Sequence, residues 1–263
     1  MYSLLLTCPS AEIDRISADL WKAGTLGIQE VESENCTQLI ASFDSNLAGL
    51  LERFACYSPQ WQLEPAIDWI EQTHRAWPAR AIGDKLFLAP PWSTEPTPPG
   101  RERIVHNPGL ACGTGEHPCT QLALIALEKY TQPKTKLIDI GTGSGLLAIA
   151  ALKLGAASAI AVDPDESALA IARKNFLLNN LDPFLIAGSA DCLAAETADI
   201  VVANINATVL LSLFDDLLRI AKPGGRLILT GFTQSELRPF LDLLPGAEVS
   251  SLTEWCCATA KPS

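Results

Sequence analysis

From Pro118 to Thr230 the chain alternates helix-period and strand-period apolar segments, and few architectures accept that order. The spacing predicts helices over Thr120–Tyr130, Leu146–Leu154, Glu166–Asn179 and Val209–Ala221. Between them it predicts strands over Lys136–Ile140, Ala159–Val162, Phe184–Ala187, Ile200–Ala203 and Arg226–Thr230. Short apolar strands that each hand over to a helix suit a parallel sheet, because the helices return the chain across both of its faces. The expected fold is therefore α/β, a doubly wound Rossmann-like sheet. Ligands of such sheets sit outside the carboxyl ends of the strands, so chemistry is sought there.

At the first of those ends, Leu137-Ile138-Asp139-Ile140 runs into Gly141-Thr142-Gly143-Ser144-Gly145 and then a helix. Glycine tolerates positive φ and lets a ligand approach the backbone. The helix that follows offers unpaired N–H groups. The G-x-G-x-G spacing departs from the G-x-G-x-x-G of dinucleotide dehydrogenases, and a tight strand–helix turn is the alternative to a ligand-binding one.

Asp163 closes the next strand, where a carboxylate can accept both hydroxyls of a ribose and would repel a 2′-phosphate. It can equally cap a helix starting near Pro164. Asp191 follows the third strand, placed either to meet an adenine amino group or as an exposed loop acid. Asn204 closes the fourth strand, where a transferred group should sit. Its carbonyl can hold an amine by its N–H bonds and aim the lone pair, and a turn-forming asparagine is the alternative. Lys222-Pro223-Gly224-Gly225-Arg226 reads as a helix-to-strand turn.

Residues 1–65 follow another pattern. Tyr2–Cys8 reads as a strand and Ala11–Ala23 as an amphipathic helix capped by Ser10. Gly27–Glu32 and Thr37–Phe43 read as paired strands, Leu47–Cys56 as a helix and Trp61–Pro65 as a last strand. That β-α-β-β-α-β order predicts a small ferredoxin-like α+β domain. Residues 66–105, rich in Trp and Pro around a strand at Lys85–Ala89, are expected to form a linker with structure of its own. Residues 106–263 would then form the Rossmann-like domain.

Net charge is −11, with a balance of −7 over residues 1–100 and −4 over residues 101–263. Such a surface repels phosphate backbones and attracts basic proteins, so direct nucleic-acid binding is not expected. No apolar stretch is long enough for a membrane span, and the first residues lack the basic start of a signal peptide. A cytoplasmic location is expected. The eight cysteines include no C-x-x-C pair, and Cys112, His117 and Cys119 lack an evident fourth ligand. Free thiols and no bound metal are expected.

Asp139–Gly145, Asp163 and Lys222–Gly225 resemble the class I S-adenosylmethionine-dependent methyltransferases. Asn107–Thr120, NPGLACGTGEHPCT, resembles the PGxAFGTGxHPTT signature of the PrmA family, whose members methylate large-subunit ribosomal protein eleven. Asp68-Trp69, Ile82-Gly83, Ala89–Trp92, Ala203–Ile205 and Glu254-Trp255 match the same pattern. The resemblance covers about residues 68–257.

The resemblance implies a substrate-recognition domain, a mobile linker and a catalytic domain with a mostly parallel seven-stranded sheet. It implies a monomer that transfers methyl groups to lysine ε-amines and the N-terminal α-amine of that basic ribosomal protein. The carried-over cofactor contacts are Thr120, Gly141, Asp163 and Asn204. Gly143 and Asp191 join them on the reading of the strand ends, and Asn204 is the residue expected to orient the amine. His117 is either a base or a residue that caps or packs its loop. Three positions depart from the pattern: Cys112 stands for a Phe, Cys119 for a Thr, and Asn206 for an apolar residue. A non-catalytic cofactor-binding module, another amine substrate and a nicotinamide-dependent dehydrogenase are the rival readings.

Overall fold

The computed structural model describes residues 2–33, 36–47, 49–63, 77–107 and 115–262. The chain divides into two compact units, Met1–Arg75 and Ala76–Ser263. In the first, β1 (Tyr2–Cys8), α1 (Ile13–Lys22), β2 (Gly27–Ser33), β3 (Cys36–Phe43), α2 (Gly49–Arg53) and β4 (Gln60–Leu63) follow one another. The sheet is antiparallel in the order β2-β3-β1-β4, the ferredoxin-like arrangement expected from the element order. Period-two alternation buries Leu4, Leu6 and Cys8 of β1 with Leu39, Ala41 and Phe43 of β3. Ile16 and Leu20 of α1 join them in one core.

Ser10 does not cap α1. Pro9, at φ −62°, leads into a 3-10 turn at Ser10–Glu12, and no side chain caps either start. The Ser10 hydroxyl lies 3.3 Å from that of Thr37 instead. The expected Leu47–Cys56 helix is shorter, ending at Arg53 before a 3-10 turn at Ala55–Tyr57.

The second unit begins with a small sheet of β5 (Arg80–Ile82), β6 (Leu86–Ala89) and β7 (Glu102–Val105), ordered β5-β6-β7. Here the structure differs from the expected 66–105 linker, because residues 76–105 belong to the second unit. The cause is burial: Ile82, Leu86, Leu88 and Ile104 pack into one core with Leu122, Ala123 and Leu127 of α3 (Pro118–Tyr130). The Glu128 carboxylate on α3 also accepts the N–H groups of Asp84, Lys85 and Leu86 at 2.9, 2.9 and 3.0 Å. Asp68-Trp69 lies outside the described residues.

The main sheet follows through β8 (Lys136–Ile140), α4 (Leu146–Lys153), β9 (Ser158–Asp163), α5 (Glu166–Leu178) and β10 (Phe184–Ala187). It continues with β11 (Ala198–Asn204), α6 (Ala207–Ser212), α7 (Phe214–Ile220) and β12 (Ala221–Thr233). It ends with α8 (Leu237–Leu243), β13 (Glu248–Leu252) and β14 (Trp255–Ala260). The seven strands are ordered β10-β9-β8-β11-β12-β14-β13. Pairing from β10 to β12 is parallel throughout, and β14 runs antiparallel to both neighbours.

The chain direction across the sheet therefore switches between β8 and β11, which opens a crevice at their carboxyl ends. A separate apolar core covers each face. The expected Val209–Ala221 helix is two helices meeting near Leu213. Lys222–Gly225 bulges from β12, since Ala198 pairs with Ala221 but Ile200 with Arg226. Among the described residues no helix is long and apolar enough to cross a membrane.

Candidate functional site

A cavity of about 950 Å³ opens at the carboxyl ends of β8, β9 and β11. The glycine turn after β8 forms its floor. Gly141 has φ +69°, and a Cβ there would stand 2.5 Å from Cγ2 of Ile205, so the turn and the β11 loop fit only without a side chain. The Gly141 and Thr142 N–H groups donate to the Val162 carbonyl at 2.9 and 3.0 Å, folding the turn over β9.

Asp163 ends β9 and is 8% exposed. Its Oδ2 accepts the Gly143 N–H at 2.8 Å and its Oδ1 the Asp165 N–H at 3.0 Å. It does not cap α5. Asp165 does, accepting the Ser167 hydroxyl at 2.6 Å and the Ser167 N–H at 2.8 Å, and these two bonds hold the Asp165 carboxyl below its ordinary value. Asp163 is thus fixed by its neighbours and lines the cavity with lone pairs to spare.

Beneath the turn, Asp139 is 1% exposed, and its Oδ2 accepts the Thr142 hydroxyl at 2.7 Å and the Ala148 N–H at 3.2 Å. Its Oδ1 has no partner. Burial raises this carboxyl to about 7, which the two hydrogen bonds oppose and the Asp163 charge reinforces.

At the end of β11, the Asn204 amide nitrogen donates to the Thr120 hydroxyl at 3.1 Å, and both residues line the cavity. That bond uses the amide N–H and leaves the carbonyl oxygen as acceptor for a ligand. Asn206, the departure two residues on, caps α6 by accepting the Val209 N–H at 2.9 Å. Gly231 of β12 has φ +105°, and a Cβ there would stand 2.1 Å from the Ile205 carbonyl oxygen. The loop after Asn204 therefore rests on bare backbone.

His117 lines the cavity too, but its Nδ1 accepts the Cys119 N–H at 3.3 Å and caps α3. Its ring meets Trp255 edge-on, with centroids 4.6 Å apart. Of the two readings open in the sequence, the capping and packing one describes this histidine. Cys119 is buried and burial pushes its thiol up; Cys56, Cys119, Cys192, Cys256 and Cys257 are free thiols. Among the described residues no three His, Cys, Asp or Glu side chains gather as a cation site. Cys112 and the rest of residues 108–114 lie outside the described residues.

The structure brings Thr120, Gly141, Gly143, Asp163 and Asn204 to one cavity and leaves Asp191 out of its wall. Asp191 is exposed on the 3-10 turn Ala190–Cys192, whose Ala190 is buried. The Arg219 guanidinium fixes that turn by donating to the Leu193 and Ala190 carbonyls at 2.5 and 3.1 Å. Gly188 and Ser189 line the wall there. Neither they nor Gly231 stood out in the sequence, although a glycine inside a strand pattern signals a close backbone approach.

A family described as Ribosomal protein L11 methyltransferase (PrmA) matches residues 4–262. The chain belongs to the PrmA family. Among its relatives, the Ribosomal protein L11 methyltransferase of Caldicellulosiruptor saccharolyticus is 36% identical, covering 74% of this chain and 66% of the relative. That of Geobacillus kaustophilus is 39% identical over 68% of this chain and 60% of the relative. The chain therefore spans about 60 to 66% of the length of these curated PrmA relatives. The crystal structure of ribosomal protein L11 methylase from Lactobacillus delbrueckii subsp. bulgaricus aligns with a TM-score of 0.64 at 30% identity. That alignment covers 70% of this chain and 97% of the other.

Proposed function

We propose that the protein transfers methyl groups from S-adenosylmethionine to amines of ribosomal protein L11, the lysine ε-amines and the N-terminal α-amine. The observation that carries this reading is the convergence of Asp163, the Gly141–Gly143 turn and Asn204 on one cavity. The cavity fits the cofactor. Each Asp163 oxygen has accepted one backbone N–H and retains a lone pair for a ribose hydroxyl. Leu147, Ala168 and Ile171 supply apolar wall for an adenine ring. S-adenosylmethionine, when bound, supplies a methyl group already activated by its sulfonium.

The residues of this chain then have to orient and desolvate the amine, and positioning of that kind accounts for much of a rate enhancement. The Asn204 carbonyl, held by the Thr120 bond, accepts an amine N–H and aims the nitrogen lone pair. A lysine amine is mostly protonated at neutral pH and sheds its proton before attack. His117 is committed to the α3 cap, so the proton passes to water. The first unit is the recognition domain for the basic substrate, with four Lys/Arg against eleven Asp/Glu in Met1–Arg75. The protein works as a cytoplasmic monomer and needs no direct contact with nucleic acid.

The test is incubation with tritiated S-adenosylmethionine and L11, free or in undermethylated ribosomes, with label located by mass spectrometry. Label on lysine or α-amines, lost in Asp163→Ala, is the expected result. Cofactor binding without label on L11 would remove the named substrate. Absence of cofactor binding would remove the methyltransferase reading itself.

A further inference from the structure

Asn175 of α5 and Asn179, the residue that follows the helix at its C-terminus, are 0% and 4% exposed and lie about one helical turn apart. A buried amide is stable only with its polar atoms bonded, and both side chains bond to backbone outside their own helix. Asn179 Oδ1 accepts the Val105 N–H at 2.9 Å, and its Nδ2 donates to the Val105 carbonyl at 2.7 Å. That side chain closes the end of β7 as a neighbouring strand would. Asn175 does something different. Its Oδ1 accepts the Asn107 N–H at 3.0 Å, and its Nδ2 donates to the Ser144 carbonyl at 2.9 Å.

Ser144 belongs to the glycine turn and lines the cavity. Its neighbours Gly143 and Gly145 have φ +54° and +82°, so the turn has little conformational preference of its own. Asn107 lies two residues past the end of β7. One amide therefore joins two chain segments 37 residues apart, and one of them carries the cavity floor.

We propose that Asn175 is a positioning residue for cofactor binding, holding the glycine turn through the Ser144 carbonyl while anchored to the backbone at Asn107. It touches no reacting atom, and its effect falls on the shape of the floor. This rests on the cofactor reading above, so the test carries one arm that needs no cofactor.

Asn175→Asp keeps the acceptor for Asn107 and loses the donor to Ser144. Asn175→Ser loses both bonds. Asn179→Ser is the control, losing buried bonds to the Val105 backbone and the Asn175 carbonyl but none to the turn. In the whole protein, hydrogen exchange without ligand is expected to speed at Gly143–Gly145 by tenfold or more in both Asn175 variants and to stay near wild type there in Asn179→Ser. With S-adenosylmethionine, the Kd is expected to rise about tenfold in the Asn175 variants, with kcat at saturation within about twofold. Asn179→Ser, at a similar loss of Tm, is expected to keep its Kd within twofold. Unchanged exchange at the glycine turn, or Kd tracking Tm equally in all three variants, would overturn the proposal. A wild-type protein that binds no S-adenosylmethionine would overturn the cofactor reading, and the exchange arm would still decide whether Asn175 holds the turn.

Discussion

Burial drives the Asp139 carboxyl from 3.8 to about 7, and the direction of that shift fixes its sign in stability. The folded state holds this proton more tightly than the unfolded chain does. The cost of ionising it is absent below about pH 4, grows between pH 4 and 7, and is fully present above 7. At about 1.4 kcal/mol for each unit, the cost is on the order of 4 kcal/mol. Asp139→Asn keeps an acceptor for Thr142 and removes the ionisation. Its stability relative to wild type should therefore rise as pH goes from 4 to 7.5 in denaturant melts, whereas a difference independent of pH would contradict the burial argument. At the same scale, Thr120→Val removes the partner of the Asn204 amide while keeping its shape. One neutral hydrogen bond is worth about 1 kcal/mol, so kcat should fall roughly fivefold to tenfold with little change in Tm. Asn204→Ala, which removes the amine acceptor proposed above, should cost about a hundredfold in kcat/KM.

Two short features hold the loop after β11, and both can be measured as element stability. Asn206→Ala leaves the first turn of α6 without its cap, and thermal melts should show a loss of about 1 kcal/mol. Gly231→Ala would place a Cβ on the Ile205 carbonyl at a φ that only glycine adopts without strain. Roughly 3 kcal/mol of destabilisation is expected, together with weaker binding at the neighbouring Asn204. Had Asn206 been a mere loss of an apolar contact, its removal would be neutral. The cap explains how a polar residue is accommodated at a position where the family pattern has an apolar one.

Each of the two units has its own buried core, so activities can be separated at the scale of the molecule. Deleting Met1–Arg75 should leave S-adenosylmethionine binding by Ala76–Ser263 within a fewfold of wild type and abolish methylation of L11. Retained L11 methylation would remove the recognition role from the first unit. The net charge of −11 adds a salt test. Raising ionic strength from about 0.05 to 0.5 M should raise KM for the basic protein several-fold and leave kcat unchanged, since screening acts on encounter and docking.

The parallel sheet was legible because apolar periodicity and glycine spacing are local properties. β8 and β10 fall at the expected residues, and the ends of β8, β9 and β11 carry Gly141, Asp163 and Asn204 to one cavity. Residue order alone could not place side chains whose roles depend on distant partners. Asp163 and His117 each had two local readings: the α5 cap falls to Asp165, which accepts the Ser167 N–H, and the bond from Cys119 makes His117 the cap of α3. Asp191 read either as an adenine partner or as an exposed loop acid, and an arginine 28 residues away fixes its turn with the acid outside the cavity wall. Residues 76–105 read as a linker because proline and tryptophan dominate them. They belong to the second unit because Ile82, Leu86 and Ile104 find α3 to pack against, a partner that only the tertiary structure supplies. Local periodicity determines which elements form, and long-range burial and hydrogen bonding determine what each polar residue in them can do.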